Sequence, residues 1–348
     1  MRNWLLLVLN ISFVGLTRAD DLPPPSGDVF PADAKLEKLF TRSAPIRGGL
    51  TEGPACAPDG SIYFSDIPMG PDKGQILRFD PKSGKTSVFL DDSRKSNGLF
   101  FDAQGRLVAC EGADGGGKAV VRYDLTSKER TVLAASFKGK RFNAPNDLTI
   151  DRRGRIYFTD PQYVGGEPRE IDHFAVYRID PDGAVHEVTR EVEKPNGIGI
   201  SPDQRTLYVV DHNNDAPPGS NDPNKKGAMK LYAFPINENG EVAGPRRTLY
   251  DLGTENGFDG MALDEHGNLY LAQRSLRRPG ILVLNPDGRE IGFLPTGPSQ
   301  PGSTQPTGLP SNCCFGAGAE KTMLYITIDV SLYRIRVKHR GAPHAWEK

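Results

Sequence analysis

One short phrase returns six times along this chain, and each copy is headed by an acid or an amide. The copies are Glu52-Gly53-Pro54, Asn97-Gly98-Leu99, Asn146-Asp147-Leu148, Asn196-Gly197-Ile198, Asp259-Gly260-Met261 and Asn312-Cys313-Cys314. After each of the first five heads come a few apolar residues, a turn such as Pro58-Asp59-Gly60, and a second apolar run such as Ile62-Tyr63-Phe64. The sixth copy is looser and reaches Leu324-Tyr325-Ile326 through Gly316 to Gly318. A second recurring pair follows each hairpin, with Gln75-Ile76-Leu77-Arg78-Phe79-Asp80 as its type. Four short strands per unit, with heads 45 to 63 residues apart, are the signature of propeller blades. The last repeat runs out one strand short near Val337, and the stretch 35–40 alternates apolar and charged residues apart from Leu39. The sequence therefore predicts an all-β, six-bladed β-propeller with four-stranded blades, its ring closed by an N-terminal strand. WD40 repeats are excluded because their Gly-His and Trp-Asp signatures are missing.

The repeat argues for one propeller domain over residues 34–338, with a Pro-rich, extended and poorly ordered lead-in over 20–33 and a tail over 339–348. Ahead of it, Arg2, the apolar run 4–16 and Thr17-Arg18-Ala19 read as a secretory signal peptide over 1–19. The apolar run is too short to span a bilayer, which takes roughly 20 residues. The expectation is export, to the periplasm or the medium, with no membrane contact after cleavage. A formal net charge of −1 offers no attraction for nucleic acid. A monomer or a weak homo-oligomer is expected. Four cysteines, Cys56, Cys110, Cys313 and Cys314, are few for an exported protein; free buried thiols are favoured over a Cys56–Cys110 bridge. No CxxC or HExxH is present, so zinc held by Cys and His is excluded.

In a propeller the innermost strands line a central channel, so six equivalent heads converge at one end of it. Glu52, Asn97, Asn146, Asn196, Asp259 and Asn312 make a ring of hard oxygen donors without sulfur or imidazole. That set suits one divalent cation, Ca²⁺ first, with Mg²⁺, Mn²⁺ or Zn²⁺ as alternatives. Taken singly, each Asn-Gly or Asp-Gly marks no more than a turn. About fourteen residues after the heads stand Asp66, Glu111, Asp160, Asp211 and Gln273, which either orient the heads or cap loops. The loops beyond them, including 161–174, 212–229 and 274–279, should wall a pocket. Arg274, Arg277 and Arg278 lie there as candidate partners for an oxyanion or a sugar hydroxyl, at least two of them as surface charge. Tyr163 and His212 share these loops, and 221–226 reads as a rim.

These residues resemble the senescence-marker-protein/gluconolactonase/regucalcin-like family. The carriers are Glu52-Gly53-Pro54, Pro145-Asn146-Asp147-Leu148, Phe158-Thr159-Asp160-Pro161, Pro195-Asn196-Gly197-Ile198, Asp259-Gly260-Met261 and Asn312-Cys313-Cys314-Phe315-Gly316, spread over residues 50–337. The nearest resemblance is to exported bacterial-type gluconolactonases. It implies a six-bladed propeller with a divalent cation at the channel mouth and hydrolysis of a small-molecule lactone. It also implies Glu52, Asn146, Asn196 and Asp259 as metal ligands. Asn97 and Asn312 would hold a water on the cation or the substrate. Arg141, upstream of the third head, corresponds to a substrate-binding arginine through an inserted spacing, and Gly112 stands after Glu111 where many gluconolactonases carry His.

The expected chemistry is metal-assisted hydrolysis of a cyclic ester, with the cation polarising the carbonyl and Asp259 taking a proton from water. No Ser or Cys has a convincing His–acid partner, which argues against an acyl-enzyme. The alternatives are a non-catalytic ligand- or protein-binding propeller, and a phosphotriesterase at the same metal.

Overall fold

The computed structural model describes residues 22–43, 49–216 and 225–347. The expected signal peptide, residues 1–19, lies outside the described residues, as does most of the 221–226 rim. The described chain is a six-bladed β-propeller. The strand β1 (Glu37–Thr41) comes first in the chain and is used last in the ring. Blade 1 follows, with β2 (Leu50–Cys56), β3 (Ile62–Ile67), β4 (Gln75–Asp80) and β5 (Lys85–Leu90). Blade 2 holds β6 (Ser96–Phe101), β7 (Leu107–Glu111), β8 (Ala119–Tyr123) and β9 (Arg130–Ala134), and a small hairpin, β10 (Ser136–Phe137) and β11 (Lys140–Arg141), leads out of it. Blade 3 is β12 (Leu148–Ile150), β13 (Ile156–Asp160), β14 (Ala175–Ile179) and β15 (Val185–Thr189). Blade 4 is β16 (Pro195–Ile200), β17 (Thr206–His212), β18 (Met229–Pro235) and β19 (Arg247–Asp251). Blade 5 is β20 (Phe258–Leu263), β21 (Leu269–Gln273), β22 (Gly280–Leu284) and β23 (Glu290–Pro295). Blade 6 has only β24 (Pro310–Phe315), β25 (Met323–Ile328) and β26 (Ser331–Arg336) from its own stretch of chain.

β1 supplies the missing outer strand by pairing antiparallel with β26, so both ends of the propeller chain meet in one blade and the ring is closed. A bulge between Lys38 and Phe40 takes up Leu39, the residue that breaks the alternation. The second strands β7, β13 and β21 are buried along their whole length because neighbouring blades cover both faces. Between blades pack the second-strand tyrosines, of which Tyr157, Tyr270 and Tyr325 are fully buried. Each contributes about 2 kcal/mol of burial, and each hydroxyl has an acceptor: Gly240 O for Tyr157, Asp264 Oδ2 for Tyr270 and Glu320 Oε2 for Tyr325.

The lead-in differs from the extended, poorly ordered segment the sequence suggested. Val29 and Phe30 are buried against Tyr270, Ile281, Leu294 and Val337, and Ser26 pairs with Phe293 on the outer strand of blade 5. Two large apolar side chains in a Pro-rich run are enough to anchor it.

The C-terminal tail crosses the end of the channel opposite the heads. Gly341 bridges Asp264 in blade 5 and donates to Lys321 O in blade 6. His344 approaches Gly316 O at 3.2 Å and stacks on Trp346, which packs into the clusters of blades 1, 2 and 6. Ala345 touches the cluster between blades 2 and 3. The channel left between tail and heads is a cavity of about 730 Å³ lined by Leu99, Leu148, Ile198, Met261 and Cys313. Because the tail ties distant blades together, truncation after residue 339 should destabilise the protein by about 3 kcal/mol, the low end for losing one large aromatic. A thermal melt of the truncated chain tests this, and an unchanged Tm would refute a clasping role.

Candidate functional site

The heads point at the axis because the backbone bulges there. In five blades the first two strands slip register at or beside the head: Glu52/Ala55, Ser96/Leu99, Pro195/Ile198, Phe258/Met261 and Pro310/Asn312. A bulge bends the strand and re-aims its side chain. In blade 3 the ladder starts only at Leu148, and Asn146 and Asp147 exchange bonds with Thr159 instead. The glycine after the head is set by the neighbouring blade. A Cβ on Gly197 would stand 2.2 Å from Asp259 O, and one on Gly98 would stand 2.4 Å from Asp147 Oδ1. No side chain fits those approaches.

The structure brings the predicted heads together and adds one residue. Glu52, Asn196, Asp259 and Asn312 are buried, while Asn97 and Asn146 are half-buried. The Asn312 amide lies between Glu52 and Asp147, its Nδ2 donating to Asp147 Oδ2 at 3.3 Å. The Asn196 side chain lies beside Asp259 and the Tyr163 hydroxyl. Arg274 Nη1 sits 3.3 Å from Asp259 Oδ2 and 3.3 Å from Pro310 O. Asp147 is the carboxylate that reading for heads passed over. Its signal was in the sequence, as the one phrase with an acid where the others carry Gly or Cys.

Three carboxyls from three blades thus share a buried space, and each is held above the usual carboxylate range. Burial pushes Glu52 well up, and repulsion from Asp259 and then Asp147 adds to it. Burial pushes Asp147 up to about 7 against the Leu148 N–H and the Asn312 amide. Burial pushes Asp259 up to about 6, restrained by Arg274 and Asn196. Among the described residues, no three His, Cys, Asp or Glu side chains converge tightly enough to ligate an ion by themselves. A cation here would need the amide oxygens as well.

The outer acids hold loops rather than heads. Asp160 accepts the N–H groups of Asn143 and Ala144, and Asp211 those of Glu193 and Lys194. Asp329, not singled out in the sequence, does the same for Gly308 and Leu309. Each fixes the chain just before a head, so its influence on that head runs through the backbone. Asp66 pairs with Arg42, Glu111 with Arg130 and the Tyr123 hydroxyl, and Gln273 bonds Arg278 O. Arg141 is exposed on β11, its backbone N–H on Glu170 and its guanidinium on Gly117 O, among the rim loops of blades 2 and 3. Arg277 and Arg278 pair with Glu255 and Glu290 at the surface. All four cysteines are free thiols, and burial pushes Cys56 up to about 12, which suits packing rather than nucleophilic work.

The model of the SMP-30/Gluconolactonase/LRE-like region matches residues 50–329. A gluconolactonase of Zymomonas mobilis is 29% identical over 340 residues, covering 90% of this chain and 87% of that protein. A gluconolactonase structure from Xanthomonas campestris superposes with a TM-score of 0.71 at 29% identity, over 91% of this chain and 95% of that one. The calcium-binding protein regucalcin of Agrobacterium tumefaciens, at 16% identity, shares the fold over 93% of this chain and 98% of that one, with a TM-score of 0.68. With its ring of blades and the head phrases in order, the chain belongs to the SMP-30/gluconolactonase/LRE-like family.

Proposed function

We propose that this protein hydrolyses a sugar lactone, in the exported compartment that residues 1–19 suggest, with one divalent cation at the head ring. The observation that carries the reading is the convergence of Glu52, Asp147 and Asp259, buried from three blades with the guanidinium of Arg274 against Asp259. Carboxyls gathered this way repel one another unless a cation or protons intervene. Glu52, Asn146, Asn196 and Asp259 are the residues that would hold the ion, all through hard oxygens, which fits Ca²⁺ before Mg²⁺, Mn²⁺ or Zn²⁺. When bound, the cation supplies Lewis-acid polarisation of an ester carbonyl and offsets the carboxylate charge. Kinship with gluconolactonases supports the lactone as substrate.

The chain's own residues supply the rest. Asp259 is the general base: it takes a proton from the attacking water, which adds to the carbonyl carbon. As the ring C–O bond breaks, that proton passes to the departing alkoxide, leaving an open-chain hydroxy acid. Arg274 fixes one oxygen of Asp259 and Asn196 steadies the carboxylate. Asn97, half-buried, would bond the water or the lactone, while the Asn312 amide is engaged by Asp147. Glu52 contributes charge from beneath.

A pH-indicator assay over a panel of lactones tests this, with chelator and then with each metal restored. Lactone opening should fall to background with chelator and return best with Ca²⁺. Opening of no lactone, alongside hydrolysis of a phosphotriester, would replace the reading with a phosphotriesterase. Inactivity on both would favour a binding propeller.

A further inference from the structure

The side of the mouth between blades 4 and 5 holds a histidine that the hydrolysis scheme leaves unused. His212 ends β17 and is 8% exposed. Its Nδ1 donates to the Phe258 carbonyl at 2.8 Å, so the ring proton resides there and Nε2 keeps its lone pair. Phe258 immediately precedes Asp259 on β20, and the bond therefore clamps the imidazole beside that head. Among the described residues Nε2 has no hydrogen-bond partner, and it is not one of the polar atoms sealed from solvent without one.

The clamp has further parts. The Tyr163 ring meets the imidazole edge to face, with centroids 6.1 Å apart at 77°. The Tyr163 hydroxyl lies 3.0 Å from His212 O and 3.1 Å from Lys194 O. A Cβ on Gly257 would stand 3.2 Å from His212 Cγ, so the ring is packed close on that side too. Lys194, itself buried, is tied to Asn214 and Asp215 with its ammonium 4.7 Å from the centre of the Tyr163 ring. Burial, with Arg274, Lys226 and Lys194 nearby, pushes the imidazole down to about 4, so it stays neutral. The result is a rigid acceptor that adds no negative charge to a site already rich in it. Arg274, on the same side, can only donate.

We propose that His212 is a specificity-determining residue, accepting through Nε2 a hydrogen bond from a hydroxyl of a polyhydroxylated lactone bound above Asp259. The inference rests on the lactonase reading and deepens it by naming the residue that reads a sugar hydroxyl. A lactone without that hydroxyl leaves the imidazole acceptor unpaired, and discrimination follows from the loss.

The test compares kcat/KM on glucono-1,5-lactone with that on δ-valerolactone, the same ring without hydroxyls. His212→Asn keeps an amide donor near the Nδ1 position and removes the acceptor at Nε2; His212→Gln returns an acceptor farther out. The preference for the hydroxylated lactone should fall about tenfold in His212→Asn, mainly through KM, and recover in part in His212→Gln. An equal loss on both lactones, or an unchanged preference, overturns the proposal, since a merely structural histidine would give the former. A series of mono-deoxy gluconolactones on the unsubstituted enzyme checks it without any variant. One position alone should lose about tenfold, and a uniform response across positions overturns the proposal. Should the unsubstituted enzyme open neither lactone, the lactonase reading falls and this inference with it. Turnover of both lactones without dependence on His212 sinks only the inference.

Discussion

Asp259→Asn should lower lactone turnover by roughly 10²- to 10⁴-fold, the range general-base removal produces, while making the cation-free protein more stable. Both effects come from one carboxylate. As the base, Asp259 must carry charge at the point where water loses its proton, and an amide cannot accept that proton. As a buried acid facing Glu52, it is held at about 6 by desolvation despite the opposing pull of Arg274. Replacing it with a neutral isostere removes a like charge from the cluster and keeps the shape. Arg274 loses a partner but is partly exposed and still reaches Pro310 O, so its isolation costs little. The measurement is kcat on the best lactone beside Tm in chelator. Retained turnover would place the base elsewhere, and a fall in Tm would show that the cluster is not under the repulsion inferred for it.

The second large effect is on stability against pH. Glu52 is raised, Asp147 is raised to about 7 and Asp259 to about 6, each above the value an unfolded carboxyl would have. The folded protein therefore binds more protons than the unfolded chain from about pH 4 to pH 7. Stability from these groups is present below that window and is lost as pH rises through it. For Asp147 alone, a shift of this size corresponds to something on the order of 4 kcal/mol. Asp160, at about 7, and Asp211, at about 6, act with the same sign from the loop-holding positions. His212 opposes them: its folded value is depressed to about 4, so its contribution is lost as pH falls from its unfolded value toward 4. Ca²⁺ should offset the loss at the head cluster alone. The gain in Tm on adding Ca²⁺ should then be large at pH 8 and small at pH 5, and Asp147→Asn should raise Tm at pH 8 in chelator. A Ca²⁺ effect independent of pH would contradict this account.

Most of the architecture could be read from the repeat, because a blade is a local object. Its four strands, its turn and its head lie within one stretch of about fifty residues, so period and alternation expose them directly. The closing strand was readable for a related reason: blade 6 visibly lacked one, and Leu39, the misfit in the candidate, is absorbed by a bulge. Register position alone picked out the six heads; narrowing them to Glu52, Asn146, Asn196 and Asp259 as ligands, with Asp259 as base, took the family resemblance.

What the sequence could not supply were the relations between blades. Asp147 faces the same buried space as Glu52 only because blade 3 starts its ladder late and blade 2 offers Gly98 beneath it. Arg274 reaches Pro310 O in blade 6, and His212 of blade 4 is clamped on Phe258 of blade 5, across strands whose relative height no spacing rule fixes. The lead-in and the tail carry no repeat, so nothing local announced that Val29 and Phe30 would bury or that Trp346 would lie across the far end of the channel. The sequence by itself determined the number of blades and which side chains head them, since hydrogen-bonded hairpins are encoded by neighbours. Only ring closure decided which charges share a buried space, because that depends on how six sheets twist and pack around one axis.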